Sequence, residues 1–494
     1  MSQYSVAMSR KIHDQLVRRL LRDDYQEDLC FALWYPSVGK NRTTALIHKV
    51  ILPREGERLV HGNASFLPNY FERAIGEAVN ANAGLAFFHS HGAPGWQGMS
   101  TDDVNAEVGH APSTMGATGL PLVGLTLGTD GAWSARFWER TGPRQYKRRW
   151  CTHVRVVGEQ LSVTFDDKAI RPPAFKEALR RTVSAWGPKA QADLARLRIG
   201  VVGAGSVGAI IAEALARMGI VHIKLIDFDS VEELNRDRLL HATEQNAARG
   251  EAKVRILSRG LRQSATADGF IVDDIEYSIC EAEGFREALD CDLLFSCVDR
   301  PWPRAVLNLI AYAHLIPLID GGILIGVKPD GAMRRADWKA HIASPDRRCL
   351  ECLKQYDPGL VSVERDGYLD DPSYIQGLPK DHPILRNENV FTFSLAAASL
   401  ELLQMIMMVV APSGVSNAGA QTYHFVPGFF EEPNFVGCES TCLYPSFIAR
   451  GDRAGITVTG CHRIAESARS KRRKPSTPIS KRILEWVMNI RRKR

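Results

Sequence analysis

The first twenty residues, MSQYSVAMSRKIHDQLVRRL, hold no apolar stretch of the kind a secretory signal needs. Cysteine is sparse, ten in 494 residues. That excludes the disulfide-dense scaffold of a small secreted domain and leaves metal ligands or free thiols. Together these absences set the expectation of a cytoplasmic protein. No internal repeat is visible, which excludes a solenoid or a repeat array. Long hydrophobic runs are scarce. The one of spanning length, Phe391 to Val410, carries Glu401 and Gln404 and is followed by Pro412. A charge in mid-span is costly, so the run reads as a buried helix, with a subunit interface as a further place for it and no membrane as a partner. An excess of one charge is missing from the body of the chain. Residues 463–494 hold twelve Lys/Arg and two Glu, a net +10, so the other residues carry −4 of the overall +6. The chain as a whole is therefore no nucleic-acid binder, and only the basic, flexible tail could touch one.

What is present is an ordinary soluble composition, 45% hydrophobic and 24% charged, in a length that suggests about two to four domains. Residues 1–150 read as an α/β unit. A helix-like stretch around Lys11–Asp24 precedes an apolar strand, Leu29 to Tyr35. A second apolar run, Leu85 to Phe88, leads into His89-Ser90-His91, and a third covers Leu120 to Leu127. The polar segments Arg140–Arg149 and Asp166–Lys168, on either side of the next expected strand, mark the boundary. A second unit, 173–450, begins with a strand at Arg198–Val202, a glycine turn Gly203-Ala-Gly205-Ser-Val-Gly208, a helix closed by Gly219, and a strand ending at Asp227. That is a βαβ unit of about 30 residues, the signature of a doubly wound, Rossmann-like nucleotide-binding sheet. Further strands are expected at Asp292–Cys297 and Ile316–Ile319, and a short helix at Ser480–Ile490.

The glycine turn alone fits a dinucleotide dehydrogenase equally well: its glycines permit a tight turn and close approach to phosphate, and Asp227 can bond a ribose. The residues beyond it do not fit one. Asp227-Phe-Asp229, Asn235-x-x-Arg238, Gly250-x-x-Lys253 and a strand leading to Asp299 stand in order. This set resembles the ThiF/MoeB and ubiquitin-activating enzyme family. The resemblance implies ATP-dependent adenylation of the C-terminus of a ubiquitin-like or sulfur-carrier protein, in which a carboxylate attacks the α-phosphate and pyrophosphate leaves. Gly203, Gly205, Gly208, Asp227, Asp229 and Asn235 would bind the nucleotide, Arg238 and Lys253 the polyphosphate, and Asp299 a Mg²⁺ ion. The stretch Arg181…Trp186-Gly187…Gln191 resembles the family's lead-in segment, whose arginine reaches the ATP of the opposite subunit. Arg181 is the better positional match and Arg180 the competitor. A homodimer is implied.

Two cysteine pairs, Cys349-x-x-Cys352 and Cys438-x-x-x-Cys442, can supply the four thiolates of a structural zinc, and the family often carries such a site. No thioester cysteine declares itself among Cys151, Cys280, Cys291, Cys297 and Cys461, so simple activation for sulfur transfer and activation for a ubiquitin-conjugating-enzyme-like partner both stay open.

In the first unit, His89 and His91 at a strand end and Asp103 at a following helix start can hold a zinc ion with one position left for water. Glu27, just before the first apolar strand, can act as general base on that water. Glu, H-x-H and Ser100-x-x-Asp103 in this order resemble the JAMM/MPN+ metallopeptidase family, which implies a role for Ser100 in stabilising an oxyanion. Asp102 is an alternative to Asp103. The resulting expectation is an α/β protein, a JAMM-type domain followed by a ThiF-type adenylation domain, using ATP, Mg²⁺ and Zn²⁺. Its two activities would be adenylation of a carrier C-terminus and cleavage at ubiquitin-like C-termini or isopeptide bonds. The alternatives are an NAD-dependent oxidoreductase joined to an unrelated metal hydrolase, and a non-catalytic scaffold retaining both folds.

Overall fold

The computed structural model describes residues 3–61, 63–174, 176–370, 388–432 and 437–473. Among these residues the chain forms two large sheets, one in each half. The first half contains β1 (Gln3–Ser9), α1 (Arg10–Leu20), β2 (Leu29–Val38), β3 (Arg42–Ile51), the hairpin β4 (Arg58–His61) and β5 (Asn63–Phe66), α2 (Pro68–Asn80), β6 (Gly84–Ser90), α3 (Thr101–Thr118), β7 (Val123–Leu127), β8 (Trp133–Gly142), β9 (Gln145–Trp150), β10 (His153–Val157) and β11 (Leu161–Phe165). Its nine-stranded sheet runs β11-β10-β1-β3-β2-β6-β7-β8-β9.

Alternation along β6 sorts its side chains between two layers, because successive residues of a strand point to opposite faces. Ala86 and Phe88 pack with Leu16 and Leu20 of α1. Leu85 and Phe87 pack with Tyr70, Phe71 and Ala74 of α2 and Ala111 of α3. The sheet does not stop at residue 150. β1 pairs in parallel with β10, and β10 pairs antiparallel with β11, which carries the unit to Phe165. Of the two segments expected to mark the boundary, Arg140–Arg149 is instead the tip and arms of the β8–β9 hairpin, whereas Asp166–Lys168 directly follows the last strand. β9 is an edge strand of exposed and half-buried residues, and its basic side chains discourage further pairing there.

The second half contains α4 (Arg180–Trp186), α5 (Pro188–Arg196), β12 (Arg198–Val202), α6 (Ser206–Arg217), β13 (His222–Ile226), α7 (Glu244–Arg249), α8 (Lys253–Ser264), β14 (Ile271–Ile275), α9 (Ala282–Leu289), β15 (Leu293–Ser296), α10 (Pro301–Ala313), β16 (Leu318–Val327), β17 (Met333–Ala343), α11 (Pro358–Arg365), α12 (Phe391–Val410), β18 (Gln421–His424), β19 (Phe429–Glu431) and α13 (Arg463–Arg473). The sheet order is β14-β13-β12-β15-β16-β17-β18-β19. The strands from β14 to β16 are parallel and those from β17 onward antiparallel. The chain leaves β12 toward β13 on one side and returns with β15 on the other, so the switch point lies at the carboxyl end of β12, where ligands of open α/β sheets bind. α12 is long and apolar enough to cross a membrane by length and composition, yet half of it is buried, with Glu401 and Gln404 fully inside.

The basic tail expected from residue 463 is, as far as Arg473, the helix α13. Arg469 pairs with Glu281 and Arg472 with Glu276, so these cations are drawn to acids on the second half. The helix expected over 480–490 lies outside the described residues.

The two halves meet through buried charge. Asp292, just before β15, accepts Arg42 Nη1 at 2.6 Å and Arg155 Nη1 at 2.6 Å, and its second oxygen accepts the Arg198 amide at 2.9 Å. His153 Nε2 lies 3.1 Å away. The side chains of Asp292, Arg42, Arg155 and His153 are all buried. Burial tends to raise the Asp292 carboxyl, but Arg42, His153 and Arg155 outweigh it and hold it well below the usual range. Asp290 accepts the amides of Asn41 and Arg42 at 3.1 and 3.0 Å, and the close approach is possible because Gly39 has no side chain there. Removing one partner of a buried charge cluster leaves the others uncompensated, at about 3–5 kcal/mol. Asp292→Ala is therefore expected to lower the unfolding free energy by about that amount in denaturant titrations; a loss of under about 1 kcal/mol, the range of exposed pairs, would contradict this account of the docking.

Candidate nucleotide and metal sites

The candidate nucleotide site is built at the carboxyl edge of the parallel strands. Gly203 leaves β12 at φ +95°, and a Cβ there would lie 2.4 Å from the Cys297 carbonyl. Gly208 sits in the first turns of α6, where a Cβ would come within 1.9 Å of the Gly203 carbonyl. Gly205 caps α6 and has open space around its α-carbon. Asp227 follows β13 and joins two loops: its Oδ2 accepts the Ala204 amide at 2.6 Å and its Oδ1 the Asp229 amide at 2.7 Å. Burial and the neighbouring Asp229 push Asp227 up to about 6, against the pull of Lys253.

Lys253 begins α8 and reaches Asp229 Oδ2 at 2.8 Å, while its amide bonds the Asp229 carbonyl. Burial opposes its charge, but Asp227, Asp229 and Asp299 outweigh burial and hold the ammonium above its usual range. Asp299 is exposed on the loop after β15. The sheet thus brings the glycine turn, Asp227, Asp229, Lys253 and Asp299 to one edge. Such an edge presents a helix N-terminus and a cation to phosphates, and a free carboxylate to a divalent ion. Asn235 and Arg238 engage their own turn instead: Asn235 Oδ1 accepts the Glu232 amide, and Arg238 donates to the Leu234 carbonyl and Asp237. Arg181 is exposed on α4, and among the described residues the contacts of the site do not include it. Its competitor Arg180 pairs with Glu177 at 3.0 Å.

The cysteine pairs converge. The sulfurs of Cys349, Cys352, Cys438 and Cys442 lie within 4.8 Å of one another despite the extra residue in the second pair. The Cys349 amide donates to Cys438 Sγ at 3.3 Å and the Cys352 amide to Cys349 Sγ at 3.4 Å, contacts that favour thiolates. The set fits a tetrahedral zinc in kind and number of donors. All ten cysteines are free. Burial pushes Cys151, Cys280, Cys291 and Cys297 up, so none of these four is a ready nucleophile. Cys461 is exposed.

In the first half, pairing of Leu29 with His89 in the β2–β6 register puts Glu27 beside the end of β6. His89 Nε2 and His91 Nε2 are 3.1 Å apart and lie 3.5 and 3.3 Å from the Asp103 oxygens. Ser100 caps α3 by accepting the Asp103 amide at 3.1 Å, while Asp103 Oδ2 accepts the Ser100 amide at 2.7 Å. This capping box fixes which carboxylate of the pair faces the histidines: Asp103 joins the cluster and Asp102 only lines the cavity. Burial pushes His89 down to about 3, which keeps it a neutral donor, and burial also raises Glu27. Asp103 is held below its range because His91, His89 and Ser100 outweigh burial. All five residues border one cavity of about 800 Å³. The buried chain behind it, Glu107 to Arg136 to Thr126 to His89, was not foreseen from sequence. These residues are far apart in sequence, and only strand pairing joins them. Arg472, in the segment read as tail, and His462, just before it, also reach the loops of this edge and were not foreseen from sequence.

A doubly wound sheet with such an edge is the arrangement in which open α/β folds bind ligands. Residues 178–421 match the ThiF family and form a ThiF family domain. Among similar proteins, the tRNA threonylcarbamoyladenosine dehydratase of Escherichia coli (strain K12) is 32% identical over 155 residues, covering 30% of this chain and 54% of that protein. The adenylyltransferase and sulfurtransferase UBA4 of Yarrowia lipolytica is 30% identical over 201 residues, covering 40% and 47%. The SAMP-activating enzyme E1 of Haloferax volcanii is 26% identical over 178 residues, covering 35% and 60%. The chain thus spans about half the length of these relatives. Escherichia coli MccB with ATP superposes with a TM-score of 0.41 at 18% identity, over 55% of this chain and 75% of that one. The family match begins at residue 178, so the first-half site rests on its geometry.

Glycine-specific packing gives a direct check. Gly208→Ala is expected to cost about 1–3 kcal/mol through overpacking against the Gly203 carbonyl, whereas Gly205→Ala, with open space, should stay within about 0.5 kcal/mol. Thermal denaturation of both variants distinguishes them, and equal losses would contradict the tight closure of the turn.

Proposed function

We propose that the chain adenylates the C-terminal carboxylate of a ubiquitin-like or sulfur-carrier protein. The observation that carries this reading is the Asp227–Asp229–Lys253 group beside the glycine turn, with Asp299 on the neighbouring loop. A carboxylate oxygen of the carrier attacks the α-phosphorus of ATP, the α–β phosphoanhydride bond breaks, and pyrophosphate leaves. Lys253 offers positive charge to the phosphates in a partly desolvated setting, where charge stabilisation is worth most. Asp299 would hold Mg²⁺, which neutralises charge on the leaving group. Asn235 and Arg238 would turn toward the nucleotide from their own loop. Carrier-dependent exchange of labelled pyrophosphate into ATP tests the reading: Asp299→Asn is expected to lower it about a hundredfold and His91→Ala to leave it unchanged. No stimulation by any carrier, or an Asp299→Asn variant with full exchange, would contradict it.

The reading includes a homodimer. The supporting observation is the apolar surface of α12 and the β18–β19 hairpin, where Leu395, Leu403, Phe425, Phe429 and Phe430 are exposed. Arg181 would serve the partner's nucleotide.

A second reading is favoured by the first-half cluster. His89, His91 and Asp103 would hold a catalytic zinc, which when bound activates a water for amide hydrolysis. Glu27, raised by burial, would take and return the proton, and Ser100 would donate a hydrogen bond to the developing oxyanion. Cleavage at a ubiquitin-like C-terminus would supply the free carboxylate that the second site uses. Zinc-loaded protein should hold about two ions per chain, one lost in His91→Ala and the other in Cys352→Ser, as measured by plasma mass spectrometry. Zinc content unaffected by His91→Ala would remove the peptidase reading.

A further inference from the structure

The family match ends at residue 421, yet the chain beyond it touches both loops that carry the nucleotide-site carboxylates. His462 is buried with its ring 5.0 Å from that of Phe228 and 5.3 Å from that of Trp302. Phe228 stands between Asp227 and Asp229, and Trp302 follows Asp299 by three residues. The Trp302 indole donates to the Val458 carbonyl at 2.8 Å. The segment 458–462 therefore packs against both sides of the sheet's carboxyl edge, and α13 continues from it.

Arg472 divides its guanidinium among three partners. Nη1 donates to Ser230 Oγ at 2.6 Å, Nη2 to the Phe228 carbonyl at 2.8 Å, and Nε to Glu276 at 3.0 Å. Glu276 also pairs with Arg255 in the first turn of α8, the helix that Lys253 begins. One side chain, 14% exposed, thus ties the 228–230 loop to the start of α8. Arg469, one turn earlier, bonds Glu281 and the Glu276 carbonyl and lies over the Tyr277 ring. None of those contacts is with the 228–230 loop.

We propose that Arg472 is a positioning residue of the nucleotide site, so that α13 is a working part of it. The inference rests on the nucleotide reading above. Arg472 fixes Phe228 and Ser230 on either side of Asp229, and Asp229 in turn holds Lys253. Without the fork, the Phe228 carbonyl and Ser230 hydroxyl lose a donor, and the loop that presents Asp229 to Lys253 is held only by its backbone bonds to Asp227 and to the start of α8. A misplacement of about 1 Å can cost up to about a hundredfold in a positioned site. Lysine keeps the charge but not the planar fork and reaches at most part of this set.

Calorimetric binding of Mg-ATP to the full chain tests the proposal, with thermal unfolding measured in parallel. Arg472→Ala is expected to weaken ATP binding about tenfold, Arg472→Lys to restore part of it, and Arg469→Ala to lower thermal stability while leaving the ATP affinity unchanged. Equal affinity in Arg472→Ala and the unaltered chain would overturn the positioning role. Equal weakening in Arg469→Ala would also overturn it, reducing α13 to general support. An unaltered chain that binds no Mg-ATP would instead sink the nucleotide reading itself, a failure visible before any variant is compared.

Discussion

Asp227 carries two loops on one carboxylate. One oxygen holds the glycine turn through the Ala204 amide, and the other holds the loop to Asp229. Asp229 then positions Lys253 at the start of α8. The Asp227 side chain is buried and its charge is costly there, which is why its carboxyl stands near 6. It stays in place because two backbone donors and a lysine compensate it. The glycines make this possible: a Cβ at Gly203 or Gly208 would strike backbone carbonyls and pull the turn away from the Asp227 carboxylate.

The same logic of paired buried charge docks the two halves. Asp292 gathers Arg42, Arg155 and His153 from the first sheet at the very start of β15, the strand that leads to Asp299. Asp290 and Gly39 add a close backbone approach beside it. The first-half cavity and the nucleotide edge therefore belong to one docked assembly.

Much of this was legible in the sequence where a local pattern fixes local geometry. The strands Arg198–Val202 and His222–Ile226 occur as the apolar runs suggest. The H-x-H and Ser-x-x-Asp segments meet because a capping box turns Asp103 toward the histidines. The cysteine pairs meet although 85 residues separate them. What was not legible depends on pairing between distant segments. β10 and β11 join the first sheet through β1, a pairing between the two ends of the unit that no local pattern displays. The edge strand β9 looks like a linker because its side chains face solvent. Arg472 looks like tail because arginine-rich runs are usually solvated, and only the placement of Glu276 and Ser230 gives it partners.

The most direct test of the central claim is intact-mass analysis of a ubiquitin-like carrier after incubation with the chain, ATP and Mg²⁺. The account predicts a carrier species heavier by one adenylate, formed only with ATP and absent with Lys253→Ala. A carrier whose mass stays unchanged, across the carriers that bind the chain, would contradict it.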